Sequence, residues 1–165
     1  MRPIVVTASS SGGSAISATL GRMTQAARDA AKWQCAVGYP VGKQAVAQPN
    51  PAYDNGESVI TVAIRNNYGL GVPRRPFMDL AKRHMVDTYR RIMQELGPKV
   101  IDGTARIERV LDVAGLEAEE DIRTSIMDGE WLPNAPATVR RKGSDRPLVD
   151  TMSMHNLVTH HVRRA

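Results

Sequence analysis

Apolar residues recur at helical spacing in three stretches of the chain and gather in short β-branched runs in others. Ile16, Leu20, Met23, Ala27 and Ala30 fall on one stripe, with Arg22, Arg28, Asp29 and Lys32 off it. That spacing predicts a helix capped by Ser14, following the breaker Ser9-Ser10-Ser11-Gly12-Gly13. Pro76 sits where proline is welcome, at a helix start, and Ala81, Met85, Tyr89, Ile92 and Leu96 continue a stripe from Phe77 until Gly97-Pro98 stops it. A third helix opens near Thr104 on Ile107, Leu111, Ala114, Ala118, Ile122 and Ile126, weakened at Gly115 and ended by Gly129.

Strands are predicted over Pro3–Thr7, over Gln34–Val41 with Cys35, Val37 and Tyr39 on one face, and over Val59–Asn66. A last one is expected within Met154–Val162. A long loop, 42–56, that ends in an Asp-Asn-Gly turn lies between the two middle strands, which bracket it if they are hairpin neighbours. Residues 130–150 carry Pro133, Pro136, Gly143 and Pro147, and read as an irregular arm without helix. The expected fold is α+β in a single domain, 1–165: a small antiparallel sheet packed against about three helices, with an extended C-terminal arm.

Composition narrows the function without naming it. The net charge is +5 with one cysteine, Cys35, so no disulfide forms within the chain and a reducing compartment fits. Much of the basic excess sits in Arg74-Arg75, Arg140-Arg141-Lys142 and Arg163-Arg164, where solvated surface or intersubunit ion pairs are the expectation. An aromatic content of 4% argues against a protein that stacks single-stranded bases. No apolar run is long enough for a membrane span or a secretory leader, so the chain is expected to be made in a cytoplasm.

No set of residues converges on a reaction in the sequence. Gly12-Gly13 lacks the lysine of a phosphate loop. The neighbours His160 and His161 point to opposite faces of a strand and do not chelate one ion. Cys35 reads as a small buried residue rather than a nucleophile paired with His84, and Glu119-Glu120-Asp121 as a solvated face. The reading is therefore non-enzymatic, with no metal and no cofactor. What stands out is stiffness: Pro73 and Pro76 bracket Arg74-Arg75, presenting two guanidinium groups that have little freedom to lose on docking. Trp131 before Leu132-Pro133 is either folded onto its own core or an anchor in a neighbour's groove.

At these residues the sequence resembles the small virion-morphogenesis proteins of tailed bacteriophages, described as neck, tail-completion or minor tail proteins. The resemblance rests on Asp54-Asn55-Gly56-Glu57-Ser58-Val59, Ala63-Ile64-Arg65-Asn66-Asn67-Tyr68-Gly69 and Pro73-Arg74-Arg75-Pro76-Phe77-Met78. It continues through Trp131, Pro133-Asn134, Pro136, Thr138, Arg141-Lys142-Gly143-Ser144 and Pro147-Leu148-Val149-Asp150-Thr151. It runs from about Val37 to the C-terminus. The family pattern often has an acidic residue where Asn67 stands and a glycine where Met152 stands.

The resemblance implies a structural part of the virion at the head–tail junction: a neck, collar, tail-completion or tail-terminator ring that joins the capsid portal to the tail. Its partners would be further copies of itself, in a ring of six or twelve, and portal-adaptor, tail-terminator, tube or sheath proteins, with incidental DNA contact and no membrane. The candidate interface is Tyr68, Arg74, Arg75, Phe77, Trp131, Arg140, Arg141, Lys142 and Asp150, with the loop 42–56. Two other classes stand beside it, a basic nucleic-acid-binding protein and a host-envelope hydrolase. Salt-dependent retention on DNA and a cell-wall digestion assay discriminate them.

Overall fold

The computed structural model describes residues 11–40, 49–50, 53 and 56–165. The strand expected over Pro3–Thr7 and most of the loop 42–56 lie outside the described residues. In chain order the elements are α1 (Ser11–Ala30), β1 (Trp33–Gly38), α2 (Val59–Tyr68), α3 (Phe77–Ile101), α4 (Ile107–Asp128), α5 (Pro136–Lys142), α6 (Ser153–Asn156) and β2 (Thr159–Arg164). The architecture is α+β, as expected: helices packed on a small antiparallel sheet.

Helix α4 is the centre of the molecule, packed against α3, both strands and α6. Its predicted stripe supplies Ile122 and Ile126, which cluster with Val59 and Ala63 of α2, Phe77 and Ala81 of α3, and Met154 and Val158. Phe77, Ile122 and Val59 are fully buried. A two-stranded sheet cannot stand alone in water, so β1 and β2 lie on α4. Their register sets Cys35 opposite Val162 and Val37 opposite His160. Gly115 is what lets them approach: a Cβ there would come within 2.4 Å of the His160 ring and 3.0 Å of Cys35 Sγ. The helix is continuous through Gly115, whose missing side chain serves packing.

Five expectations are corrected. Residues 59–66 are helix, not strand. Ser58 caps α2, its Oγ accepting from the Thr61 N–H at 3.3 Å. The buried positions Val59, Ala63 and Asn67 recur every fourth residue, so one helical face is buried and the tenths of a kcal/mol by which β-branched residues disfavour helix are overridden. The partner of β1 is accordingly not this segment but β2 at the C-terminus. Helix α3 runs through Gly97-Pro98 to Ile101. Pro98 lies in the last turn, where its missing N–H forfeits one bond and half-buried Leu96, Val100 and Ile101 hold the chain. The arm 130–150 contains α5, opened by Pro136 in its first turn and ended at Gly143. The first helix begins at Ser11, ahead of the expected cap at Ser14, and takes in Gly12-Gly13.

Candidate functional site

The two motif-bearing segments, remote in sequence, meet at one side chain. Arg75 is 5% exposed. Its Nε and Nη2 both donate to Leu132 O at 3.1 Å, Nη2 also donates to Pro133 O at 3.3 Å and Asn134 Oδ1 at 3.1 Å, and Nη1 donates to Asn66 Oδ1 at 3.1 Å. The five-donor fork of a guanidinium is the side chain that can satisfy so many acceptors from one point. Burial pulls its pKa down from the ordinary arginine value. Arg75 therefore clamps α2, the start of α3 and the arm into one corner.

The backbone around the clamp is shaped to the same end. Gly69 closes α2 in the left-handed conformation, φ 76°, and its N–H donates to Arg65 O at 2.8 Å. A Cβ at Gly69 would stand 3.0 Å from Arg74 Cβ, so both conformation and space call for glycine. The Arg75 N–H donates to Asn66 O at 2.8 Å. Pro76 offers α3 no side-chain cap, and buried Asn67 supplies one from the preceding helix: its Oδ1 accepts from the Met78 N–H at 3.2 Å. A carboxylate at that position would cap equally well and complement the helix dipole. Met152 adopts φ 61°, so the turn there has a glycine-like geometry with a side chain in place.

The expected interface residues divide between surface and interior. Tyr68 is 65% exposed, and Arg74 is exposed and paired with Asp79 at 3.0 Å. Arg140, Arg141 and Asp150 are exposed. Lys142 is half-buried, its Nζ donating to Arg146 O at 2.8 Å, and burial lowers its pKa against the opposing pull of Asp150. Phe77 and Arg75 are corrections: Phe77 is core, and the two guanidinium groups of the Pro-Arg-Arg-Pro run are not presented together. Trp131 folds onto its own core, with its Nε1 buried and unpartnered. An open cleft of about 660 Å³ runs between α2 and the arm, lined by Arg65, Arg75, Arg141, Lys142, Asp150 and Tyr53 among others. Its lining mixes charged residues with apolar ones such as Val62, Leu148 and Met154, and Arg65 Nη1 is paired with Glu57 at 2.7 Å. Burial, assisted by Asp150, pushes the Tyr53 phenol up to about 12. The base of the loop 42–56 closes beside this cleft, where Pro49 bridges Ser58 and the Asn50 N–H donates to Glu57 O at 3.2 Å.

A second cluster went unseen in the sequence because its members lie about forty residues apart. Glu119 is 8% exposed, not solvated; its Oε1 accepts from the His160 N–H at 2.8 Å and bonds the His160 Nδ1 at 2.6 Å. Asp112 Oδ1 takes the other ring nitrogen at 3.0 Å, and Arg123 pairs with Glu119 at 2.7 Å. Burial alone would lower the pKa of this imidazole, but its two carboxylate partners outweigh it and hold the ring above the ordinary histidine value. With both nitrogens occupied, His160 is no base for neighbouring Cys35, whose thiol is pushed up by burial and by Asp112. The two carboxylates bind opposite edges of the ring, so the donors do not converge on a point where an ion could sit. His161 points away and is exposed, as strand alternation requires. The one signal that could have found this cluster is the helical spacing of Asp112, Gly115 and Glu119, which share a face.

Compared with known proteins, the chain matches no family model, no curated protein and no solved structure. Among the described residues, no helix is long and apolar enough to cross a membrane.

Proposed function

We propose that this chain is a structural component of a tailed-bacteriophage virion, a neck, collar or tail-completion subunit that forms a ring between the capsid portal and the tail. One observation carries the reading beyond the sequence resemblance. The described parts of the two segments that bear the resemblance, 56–78 and 131–151, come together around the Arg75 guanidinium, so the ordered set of motifs describes one corner. The corner has the properties of an assembly element. It is pre-formed, so docking costs little ordering entropy. Its rim exposes Tyr68, Arg74 and Arg140, residue types enriched where proteins anchor one another.

The function follows by positioning. Arg75 holds the arm against α2 and α3, the cleft between them is left open, and the exposed arginines face whichever ring lies above or below. Carboxylates on a neighbouring ring subunit would pair with Arg74 and Arg140 through planar, two-pronged contacts. The test is complementation of a phage lacking the gene. Filled heads without attached tails in its absence, rescued by the wild-type chain and not by an Arg74→Glu, Arg140→Glu double variant of unchanged fold, is the expected result. Normal tailed particles in its absence would overturn it.

A further inference from the structure

The Arg75 guanidinium is a buried charge whose hydrogen-bond partners are all neutral. Its acceptors are the Leu132 and Pro133 carbonyls and the side-chain amides of Asn66 and Asn134, and among the described residues no carboxylate pairs with it. Neutral acceptors satisfy the N–H donors and leave the charge uncompensated, and a desolvated charge keeps a strong field because little water screens it. That field reaches the cleft between α2 and the arm, since Arg75 is part of its wall.

The rest of the wall sharpens the imbalance. Arg65, Arg141 and Lys142 line the cleft with Arg75, against Glu57 and Asp150, four cations to two carboxylates. Glu57 is taken by Arg65, with both its oxygens on Arg65 Nη1 at 2.7 and 2.9 Å. Asp150 is left on the wall with Arg75, Arg141 and Lys142. Burial lowers the pKa of Lys142, Asp150 opposes it, and the charges of Arg75 and Arg141 lower it further. The three cations are thus close enough to repel one another, and an arriving anion relieves that repulsion.

The remaining features of the cleft select among anions. Its volume of about 660 Å³ suits a segment of chain. Val62, Val72, Leu148 and Met154 give it apolar wall. The carboxylates of Asp150 and Glu57 suit a ligand that brings N–H donors and repel a phosphodiester strand, which carries a charge at every nucleotide. Among the described residues the one aromatic on the wall is Tyr53, too little for a row of stacked bases. An extended peptide answers all of these together. Its side chains alternate between two sides, so carboxylates can meet the cations while apolar side chains meet the apolar wall, and its backbone N–H groups can donate to Asp150.

We infer that this cleft takes an extended acidic segment of a partner protein, whose carboxylates pair with Arg141 and Lys142. The inference deepens the assembly reading above, on which it rests, by naming what the partner brings to this corner. The partner is a different protein rather than a second copy. The densest acidic run of this chain, Glu117, Glu119, Glu120 and Asp121, lies within helix α4 with Glu119 buried, so it does not enter as an extended segment. The net charge of +5 likewise favours an acidic partner over another copy.

The test is fluorescence anisotropy of a short, capped, fluorescein-labelled peptide of alternating glutamate and valine, titrated with the full chain. It is run at ~0.15 M salt, where charges more than about 8 Å apart are largely screened. Saturable one-to-one binding is expected, roughly tenfold or more tighter than for the matching lysine–valine peptide or a thymidine oligonucleotide of equal charge. The double variant Arg141→Glu, Lys142→Gln, with unchanged circular dichroism, should weaken binding roughly tenfold or more. The charge-matched pair Arg163→Glu, Arg164→Gln, exposed on β2 and outside the cleft, should change it less than about twofold. Should the double variant disturb the fold, the wild type carries the test: amide shifts of the nitrogen-15-labelled chain on adding the peptide should centre on Thr138, Lys142, Thr151 and Ser153. No binding, an equal loss in the charge-matched pair, tighter binding of the oligonucleotide, or shifts centred elsewhere each overturns the inference. Binding is read on the purified chain and tails on particles, so the two readings fail separately. A chain that ignores the peptide while its loss yields tailless heads removes this inference alone, and a chain that binds the peptide but that particles do not need removes the head–tail reading.

Discussion

Helices α1 and α4 carry the same kind of sequence pattern and meet opposite fates. Both are long, both place apolar residues on one face at three–four spacing, and both were legible from that spacing. In α4 the stripe is the floor of the core, with Ala118, Ile122 and Ile126 at 0–1% exposure. In α1 the stripe lies open, 46–63% exposed along Ile16, Leu20 and Met23. The difference teaches that periodicity reports a face that needs covering, not what covers it. For α4 the cover is the rest of the domain. For α1 the described residues leave Ile16, Leu20 and Met23 open.

Matched substitutions can break this contrast. Ile122→Ala should cost about 3–4 kcal/mol of unfolding free energy, since it opens a cavity that α3 and β2 cannot collapse into. Denaturant titration measures it. A loss below about 1 kcal/mol would mean that α4 is not the centre of the core. Next in size, Arg75→Ala should cost about 2 kcal/mol, because it removes a buried guanidinium that donates to four acceptors at once. Arg75→Lys should recover only a small part, as an ammonium cannot span Asn66 and Leu132 together.

A smaller effect depends on pH. The pKa of His160 is raised in the folded chain, so its contribution is complete below about 6.5, the unfolded value. It declines as pH rises through the higher folded value. The urea midpoint should fall across that window, and His160→Gln should flatten the profile there. Smaller again, Met152→Gly should raise stability by under ~1 kcal/mol, by relieving a left-handed residue at the cost of a looser unfolded chain. Smallest is the counterpart of the first: Leu20→Ala, at protein concentrations low enough to keep copies apart, should change stability by less than about 0.5 kcal/mol. A large loss there would show α1 packed within its own molecule and erase the contrast.

Legibility followed the range of the determining interaction. The helix stripes of α3 and α4, the strand at Cys35–Val37 and the helix stop at Gly129 are local signals, set by period, turn residues and caps. The misreading of Val59–Asn66 is instructive. Its β-branched run spoke for strand, while Ser58, Gly69 and the four-residue recurrence of Val59, Ala63 and Asn67 spoke for helix. Propensity differences of tenths of a kcal/mol lose to the burial of one face. For the candidate site, the motifs were visible but their roles were not. Arg74 and Arg75 are neighbours of identical chemistry, and only their surroundings make one a surface ion pair and the other an interior clamp.

The amino-acid sequence by itself determined the helices that repeat every three to four residues, the strand run around Cys35, the glycine and proline punctuation, and the stiff arginine-bearing stretches. All of these are written within a few residues of one another. Only the tertiary structure decided that β1 pairs with the C-terminal strand, that Gly115 exists to admit His160, that Glu119 is buried between a histidine and an arginine, and that Arg75 joins segments more than fifty residues apart. The reason is physical. Hydrogen bonds and burial between distant segments depend on which faces the folded chain brings together, and no local pattern encodes that choice.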